Sequence, residues 1–171
     1  MKQENVPSKT SKGEVFIPER LKMLDSLEYF SVLATQNKSQ PYTSLVNFAM
    51  TADCKTIIFA TPRNSQKYKN IIKSKSVALL IDNRSKKTKN LMGTEAVTVV
   101  GNARPIRRGK SWEAFAGIYI KKHPDLAGFI NAPSTALIVV EATLCLHVSQ
   151  FQTVSVWDCG IGESAWHRKK H

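Results

Sequence analysis

The sequence contains few cysteines, and their arrangement excludes two common kinds of small domain. Cys54, Cys145 and Cys159 are far apart, odd in number and never spaced as C-x-x-C. Neither a disulfide framework nor a cysteine zinc site is therefore indicated. Cys145 lies in an apolar run, which predicts a buried thiol that packs as a small hydrophobic side chain.

Membrane and nucleotide-binding signatures are also missing. No stretch is apolar over the length of a transmembrane span, and the first residues lack an apolar signal core. We therefore expect a cytoplasmic protein with no membrane partner. No G-x-G-x-x-G follows the first predicted strand and the Walker lysine motif is absent, so Rossmann and P-loop nucleotide sites are disfavoured.

The histidines give no sign of hydrolytic or metal chemistry. None of His123, His147, His167 and His171 lies in a recognisable triad or metal motif. The last two are four residues apart and could share a helical face as ligands, but we favour a solvated basic tail as their explanation. We predict no metal site and assign no catalytic residue.

Acidic residues are scarce relative to basic ones: 13 against 25, for a net charge of +12. Such an excess suits a nucleic acid, an anionic membrane surface, or an anionic cofactor and substrate. The basic residues are scattered, and no helix-turn-helix, zinc-finger or aromatic-rich RNA-binding signature accompanies them. We expect no specific nucleic-acid partner, although a basic nucleic-acid-associated protein stays open as a third alternative.

The length of 171 residues suits one domain with a proper core. Residues 1–17 are polar and lysine-rich, which predicts a disordered N-terminal tail before a single domain over 18–171. Pro18 suits the first turn of a helix, and Leu21, Leu24 and Leu27 recur at a spacing that predicts a short amphipathic one.

The rest of the chain reads mainly as strands joined by short turns. Strands are predicted at 29–35, 41–50, 57–60, 76–82, 94–106, 137–148 and 151–157. Helices are predicted after Ser65 and over 110–122 and 124–130. Gly101, inside the fifth strand, predicts a bulge or a close backbone approach. This order predicts a mainly β (α+β) fold, an antiparallel barrel with flanking helices.

The stretch from Ile57 to Ile72 carries the clearest binding signal. It reads as a strand, a tight turn and a helix for which Ser65 is a suitable N-cap. The unpaired N–H groups of the helix start, the hydroxyls of Thr61 and Ser65, and the cations of Arg63 and Lys67 would together form a cradle for a phosphate. An ordinary capped surface helix in a lysine-rich protein is the alternative interpretation.

Four segments in this order resemble the FMN-binding split barrels of the pyridoxamine-phosphate-oxidase-like family. They are F-x-V-L-A-T from Phe30, P-x-x-S-L-V-N-F from Pro41, I-F-A-T-x-x-x-S-x-K-x-x-N-I from Ile58 and S-V-A-L-L-I-D from Ser76. The resemblance implies an antiparallel split β-barrel and a homodimer with FMN at the subunit interface. A flavin would bring its own electron chemistry, so the protein need only bind, orient and tune it.

The resemblance also implies which residues meet the cofactor. The family's phosphate-binding threonine, serine and lysine match Thr61, Ser65 and Lys67, and the second segment would pass along the flavin ring. The partner subunit would complete the site with the residues that match Asn83, Arg84 and Trp157. The full set implied is Ser44, Leu45, Val46, Asn47, Thr61, Arg63, Ser65, Gln66, Lys67, Asn83, Arg84 and Trp157.

Two departures from the family pattern bear on the substrate. Pyridoxamine-phosphate oxidases end in an arginine-rich segment that binds the phosphate of the substrate, whereas Arg168 is the one counterpart here. Gln66 also replaces a basic residue beside the serine, for which Arg63 could compensate. We therefore predict an FMN-dependent oxidoreductase of unknown substrate. A flavin or haem carrier or sensor, or a deazaflavin in place of FMN, stays open.

Overall fold

The computed structural model describes residues 15–84, 93–149 and 153–160. The predicted tail, as far as residue 14, and the C-terminal His167, Arg168 and His171 lie outside the described residues. The elements are α1 (Ile17–Leu27), β1 (Phe30–Asn37), β2 (Gln40–Asn47), β3 (Ala49–Met50), β4 (Thr56–Pro62), α2 (Gln66–Lys73), β5 (Ser76–Asp82), β6 (Glu95–Pro105), α3 (Lys110–Lys122), a 3-10 turn (Pro124–Leu126), α4 (Ala127–Asn131), β7 (Thr135–Ser149) and β8 (Thr153–Asp158).

The strands form one antiparallel sheet in the order β2-β1-β5-β6-β7-β4-β3, with β8 paired to β7. The sheet curls, so that β2 at one end contacts β4 near the other. This curled half-barrel with its helices is a split barrel of the α+β class, which confirms the predicted fold. The hairpin predicted for the last two strands is confirmed by the pairing of β7 with β8.

Gly101 is a point of close backbone approach, as predicted. The register between β6 and β7 shifts between Val100 and Gly101. A Cβ at this position would lie 2.4 Å from the carbonyl oxygen of Glu141. Any larger residue would therefore push the two strands apart at the bulge that curves the sheet.

The strand predicted over 41–50 is two strands, because the chain changes its pairing partner at Phe48. Asn47 ends the pairing of β2 with β1, and Ala49 begins the pairing of β3 with β4. The backbone N–H of Phe48 donates to the carbonyl of Tyr29, and its carbonyl lies 2.8 Å from His123 Nε2. The side chain of Phe48 is fully buried and fixes this corner in the core.

Two apolar clusters lie on the two faces of the sheet. The larger fills the barrel and includes Leu33, Phe48, Phe59, Leu79 and Val99. The smaller lies under α3, and Ile58, Trp112, Tyr119, Leu137 and Val139 belong to it. The helix predicted at 110–122 is thus a packing helix, and its aromatic residues are core residues.

Helix α2 buries a different face from the one that hydrophobic periodicity predicts. Periodicity groups Tyr68, Ile71 and Ile72 on one face and Asn70 on another, yet Asn70 is 1% exposed and Ile72 is 55% exposed. Asn70 Nδ2 donates to Thr35 Oγ1 at 3.0 Å and its Oδ1 accepts from Gln66 Nε2 at 2.7 Å. The hydrogen bond from Asn70 to Thr35 of β1 therefore orients the helix, and Asn70 takes the buried position that was expected for Ile72.

Candidate functional site

The residues predicted to form the phosphate cradle lie where β4 ends and α2 begins. Thr61 Oγ1 and Ser65 Oγ lie 2.9 Å apart, and Ser65 Oγ accepts the N–H of Tyr68 at 3.3 Å as the helix N-cap. Thr61 is buried, whereas Ser65 is half-buried. If Thr61 donates to Ser65, the serine hydroxyl keeps its own proton to donate to a ligand.

Two cationic side chains, Arg63 and Lys67, flank this cradle. The first turn of α2 holds no acidic residue. Arg63 is fixed by bonds from Nε to the Pro133 carbonyl at 3.2 Å and from Nη1 to Tyr68 Oη at 3.2 Å. Lys67 has no hydrogen bond or ion pair within the described part of the chain, so its ammonium is available. Cationic side chains at a helix N-terminus favour an anionic ligand.

Strand β2, which carries Ser44 to Asn47, lies next to this cradle. It pairs with β1 on one side, contacts β4 and α2, and is an end strand of the sheet. The N–H and C=O groups on its outer edge are therefore open to a ligand. Along this stretch Val46 is buried and Leu45 is 62% exposed. The Ser44 Oγ atom is buried, and it has no hydrogen-bond partner among the described residues.

A second group of predicted residues lines a shallow groove on the outer face of the sheet. Leu45 and Arg84 border this groove of about 210 Å³ together with Phe30, Ser31 and Leu80. Arg84 Nε lies 3.1 Å from Asp82 Oδ1, and the Arg84 side chain is 67% exposed. The structure thus brings Leu45 and Arg84 together.

A third site lies beside Asn47 and was missed by the sequence analysis. Asn47, Tyr29, Phe30, His123 and Lys122 line a groove of about 410 Å³. His123 Nε2 lies 2.8 Å from the Phe48 carbonyl, an acceptor, so this nitrogen carries the ring proton and Nδ1 is the acceptor. Burial lowers the pKa of His123 and keeps the ring neutral near pH 7. In the sequence, His123 is followed by Pro124 and belongs to no motif, so nothing predicts that it lines a groove.

Lys122 is held at the same groove by two neighbours. Its Nζ lies 2.7 Å from Asp25 Oδ1 and 3.8 Å from the centroid of the Phe48 ring. Burial lowers the pKa of Lys122, while the hydrogen bond with Asp25 opposes that change. The Lys122 ammonium is therefore held between Asp25 of α1 and the Phe48 ring.

Three predicted cofactor residues have structural partners within the chain. The Gln66 amide donates to Asn70. Asn83 Oδ1 accepts the N–H of Glu95 at 3.0 Å, and its Nδ2 donates to the Gly93 carbonyl and to Glu95 Oε1. Trp157 lies on β8, is partly buried and packs against the barrel core.

Asn83 belongs to a buried polar network centred on Glu95. Arg20 donates to both Glu95 carboxylate oxygens, from Nε at 2.9 Å and from Nη2, and His147 Nε2 lies 2.9 Å from Oε2. Burial opposes ionisation of Glu95, but the bonds from Arg20 and His147 outweigh it and lower its pKa. The network fastens α1 to β6 and β7.

Neither a metal-binding cluster nor a membrane-spanning helix is found in the described ranges. No cluster of three or more histidine, cysteine, aspartate or glutamate side chains is placed to hold a metal ion in residues 15–84, 93–149 and 153–160. Over the same residues, no helix has the length and apolar character needed to cross a membrane.

The family model described as pyridoxamine 5'-phosphate oxidase matches residues 17–149. The chain belongs to that family. The matched range includes the cradle, β2 and both grooves, and it stops before β8. No curated protein sequence matches this chain.

Solved structures with similar folds include two haem proteins and a general stress protein. A heme binding protein from Mycobacterium smegmatis is 13% identical with a TM-score of 0.75, over 85% of this chain and 59% of that one. HutZ, the heme storage protein from Vibrio cholerae, is 13% identical with a TM-score of 0.64, over 72% and 88%. General Stress Protein 26 from Bacillus anthracis str. Sterne is 16% identical with a TM-score of 0.58, over 78% and 95%. At these identities the likeness is one of fold.

Proposed function

We propose that this family member binds FMN and acts as an FMN-dependent oxidoreductase. The observation that carries the proposal is the pair of hydroxyls of Thr61 and Ser65, 2.9 Å apart at the capped start of α2. Lys67 and Arg63 add positive charge to this cradle. Such a set of donors and cations suits a phosphate monoester.

The rest of the cofactor would extend from the cradle along β2. The open edge of β2 offers backbone donors and acceptors to the polar edge of a flavin ring. A bound FMN would supply the redox chemistry. The chain's own residues would anchor the phosphate, orient the ring and limit the access of water.

A homodimer would complete this site. Tyr29, Phe30 and Leu45 expose large apolar side chains around β1 and β2, and Val32 and Leu80 line the adjoining groove. An apolar sheet face of this kind is suited to a second copy of the chain. Arg84 borders that face, where it could approach the flavin of the partner subunit.

Haem binding is the second candidate, and the fold likeness to the M. smegmatis protein and to HutZ favours it. Of the described histidines, His123 is bonded to the Phe48 carbonyl and His147 to Glu95, and both are buried. His147 lies inside the Glu95 network, and His123 presents only a small part of its ring to the groove beside Asn47. The donor set at α2 matches a phosphate more closely than it matches a porphyrin.

The absorbance of the purified full chain separates the two candidates. After incubation with FMN and removal of the free cofactor, we expect the flavin bands to remain with the protein, and NADH or NADPH to bleach them. A Soret band after incubation with haemin, together with no retained flavin, would favour the haem protein. Retained flavin that no donor reduces would favour a carrier or sensor.

A further inference from the structure

Two buried thiols meet between the last two strands. Cys145 Sγ lies 3.8 Å from Cys159 Sγ, across a separation of 14 residues. Both side chains are at most 2% exposed, and neither is in a disulfide. The sulfurs of a disulfide are about 2.0 Å apart, so these two must approach by about 1.8 Å to bond.

Strand pairing fixes the backbone of Cys145 on both sides, whereas Cys159 lies just beyond the end of β8. Cys145 lies inside β7, where it is paired with Val99 of β6 and with Trp157 of β8. Cys159 follows the last residue of β8, and its N–H donates to the Thr143 carbonyl at 3.1 Å. In the described sheet, β8 pairs with β7 alone. Strand ends open more easily than strand centres, so local opening of this end exposes Cys159 while Cys145 stays in place.

We propose that Cys145 and Cys159 are a redox-active dithiol that a hydroperoxide oxidises to an intramolecular disulfide between β7 and the end of β8. The Cys159 thiolate attacks one peroxide oxygen and the O–O bond breaks. With hydrogen peroxide, this step gives a sulfenic acid on Cys159 and one water. The sulfur of Cys145 then displaces the hydroxyl group, which leaves as a second water. Two thiols and one hydrogen peroxide are thus converted into one disulfide and two waters.

The electrostatics of the pair agree with this order of attack. The hydrogen bond from the Cys145 thiol lowers the pKa of Cys159, and Lys55 favours the same anion, although burial opposes it. The contact with Cys159 and burial both raise the pKa of Cys145. The more exposable thiol is therefore also the more easily ionised one, as the attacking residue requires.

The disulfide would change how firmly β8 is held. Cys159 Sγ also lies 3.9 Å from the Trp157 carbonyl, so the bond would form at the residue that fixes the end of the strand. In the reduced protein β8 is held by its pairing and by the packing of Trp157. In the oxidised protein, Cys159 at the end of β8 would also be linked covalently to Cys145 of β7.

The test treats the folded, full-length protein with hydrogen peroxide, then unfolds it in guanidinium chloride and blocks free thiols with N-ethylmaleimide, so that buried thiols also react. We expect one blocked thiol, the loss of two hydrogens from the intact mass, and a linked peptide pair containing Cys145 and Cys159. Cys54→Ser is the matched control, since Cys54 is also buried but bonds to the Pro18 carbonyl, and it should form the same link. Cys159→Ser should abolish it.

Amide hydrogen exchange supplies a second readout, independent of identifying the linked peptides. Oxidation should slow exchange over Thr153–Asp158 by about tenfold or more, and dithiothreitol should reverse the effect. The Cys159→Ser variant should show no change with peroxide. Accumulation of sulfinic acid on Cys159, a link to Cys54, a link between two chains, or three free thiols after treatment would each overturn the proposal.

Discussion

The hydroxyl oxygens of Thr61 and Ser65 lie 2.9 Å apart, one at the end of β4 and the other at the N-cap of α2. The buried threonine has Ser65 as its hydroxyl partner, while the serine also accepts the N–H of Tyr68. Under the proposed function, Ser65 contacts the cofactor phosphate and Thr61 fixes the direction of the serine hydroxyl.

Ser65→Ala should weaken FMN binding by roughly two- to tenfold, because a neutral hydrogen bond contributes about 0.5–1.5 kcal/mol. Thr61→Val should have a smaller effect, since its hydroxyl acts through Ser65. Fluorescence titration with FMN measures both. Ser74→Ala is the control at the other end of α2, where the hydroxyl accepts from Gln36, and its affinity for FMN should be unchanged. Equal losses in all three variants would contradict a contact specific to Ser65.

If the proposed homodimer forms through this face, Leu45→Glu should convert it into monomers and weaken FMN binding at the same time. The exposed side chain of Leu45 lies on the apolar face of β2. Burying an unpaired carboxylate there against a second copy would cost free energy of association. Light scattering at micromolar concentration gives the mass. Phe129→Glu, on the surface of α4, is the control and should remain dimeric. A monomeric unmodified protein with full FMN affinity would refute the shared site.

Glu95→Gln should destabilise the fold by about 3 kcal/mol at neutral pH, because it removes the buried carboxylate that pairs with Arg20 and His147. The folded pKa of Glu95 is lowered below 4.5, its value in the unfolded chain. The contribution of this ionisation is therefore complete above about pH 4.5 and is lost as the pH falls through the folded pKa. Urea unfolding at several pH values measures the difference.

Glu141→Gln is the matched control for Glu95. Glu141 pairs with Arg104 at 2.8 Å, but both side chains are well exposed, so this substitution should cost less than about 1 kcal/mol. Similar losses for the two glutamates would show that the Glu95 network does not stabilise the docking of α1.

Gly101→Ala should destabilise the protein by about 1–3 kcal/mol, because the new methyl group would overlap the Glu141 carbonyl across the bulge. Gly117→Ala is the opposite case. Gly117 lies inside α3, and beyond its own stretch of helix no atom lies within 4 Å of an added Cβ, so alanine should stabilise the helix by up to about 1 kcal/mol. Thermal unfolding of the two variants compares them directly. A stabilised Gly101→Ala would mean that the bulge relaxes freely.

Local patterns were enough to predict most strands, the Ser65 cap and the close approach at Gly101. Each of these depends on residues that are neighbours in sequence, where side-chain alternation, capping and glycine carry the information. The break at Phe48 was missed because alternation continues through Asn47 and Ala49 while the pairing partner changes. That change depends on β1 and β4, which no local pattern reveals.

The contacts that the sequence could not predict join distant parts of the chain. Arg20 and His147 meet Glu95 across 75 and 52 residues, and Asn70 reaches Thr35 across 35. Spacing alone suggested that Cys145 and Cys159 are unrelated, although β7 and β8 bring their sulfurs together. Of the implied cofactor residues, Thr61, Arg63, Ser65 and Lys67 come together at α2. The roles of Asn83, Arg84 and Trp157 toward a partner subunit stay predictions.

Lys67→Ala tests the phosphate site most directly, by titration with FMN and with riboflavin, which lacks the phosphate. A charge-assisted contact contributes about 1.5–3 kcal/mol, so we expect the variant's dissociation constant for FMN to rise about tenfold or more. Its affinity for riboflavin should stay that of the unmodified protein. Lys69→Ala, two residues along α2 and exposed, should bind both ligands normally. Equal losses for FMN and riboflavin, or no loss for either, would contradict the account.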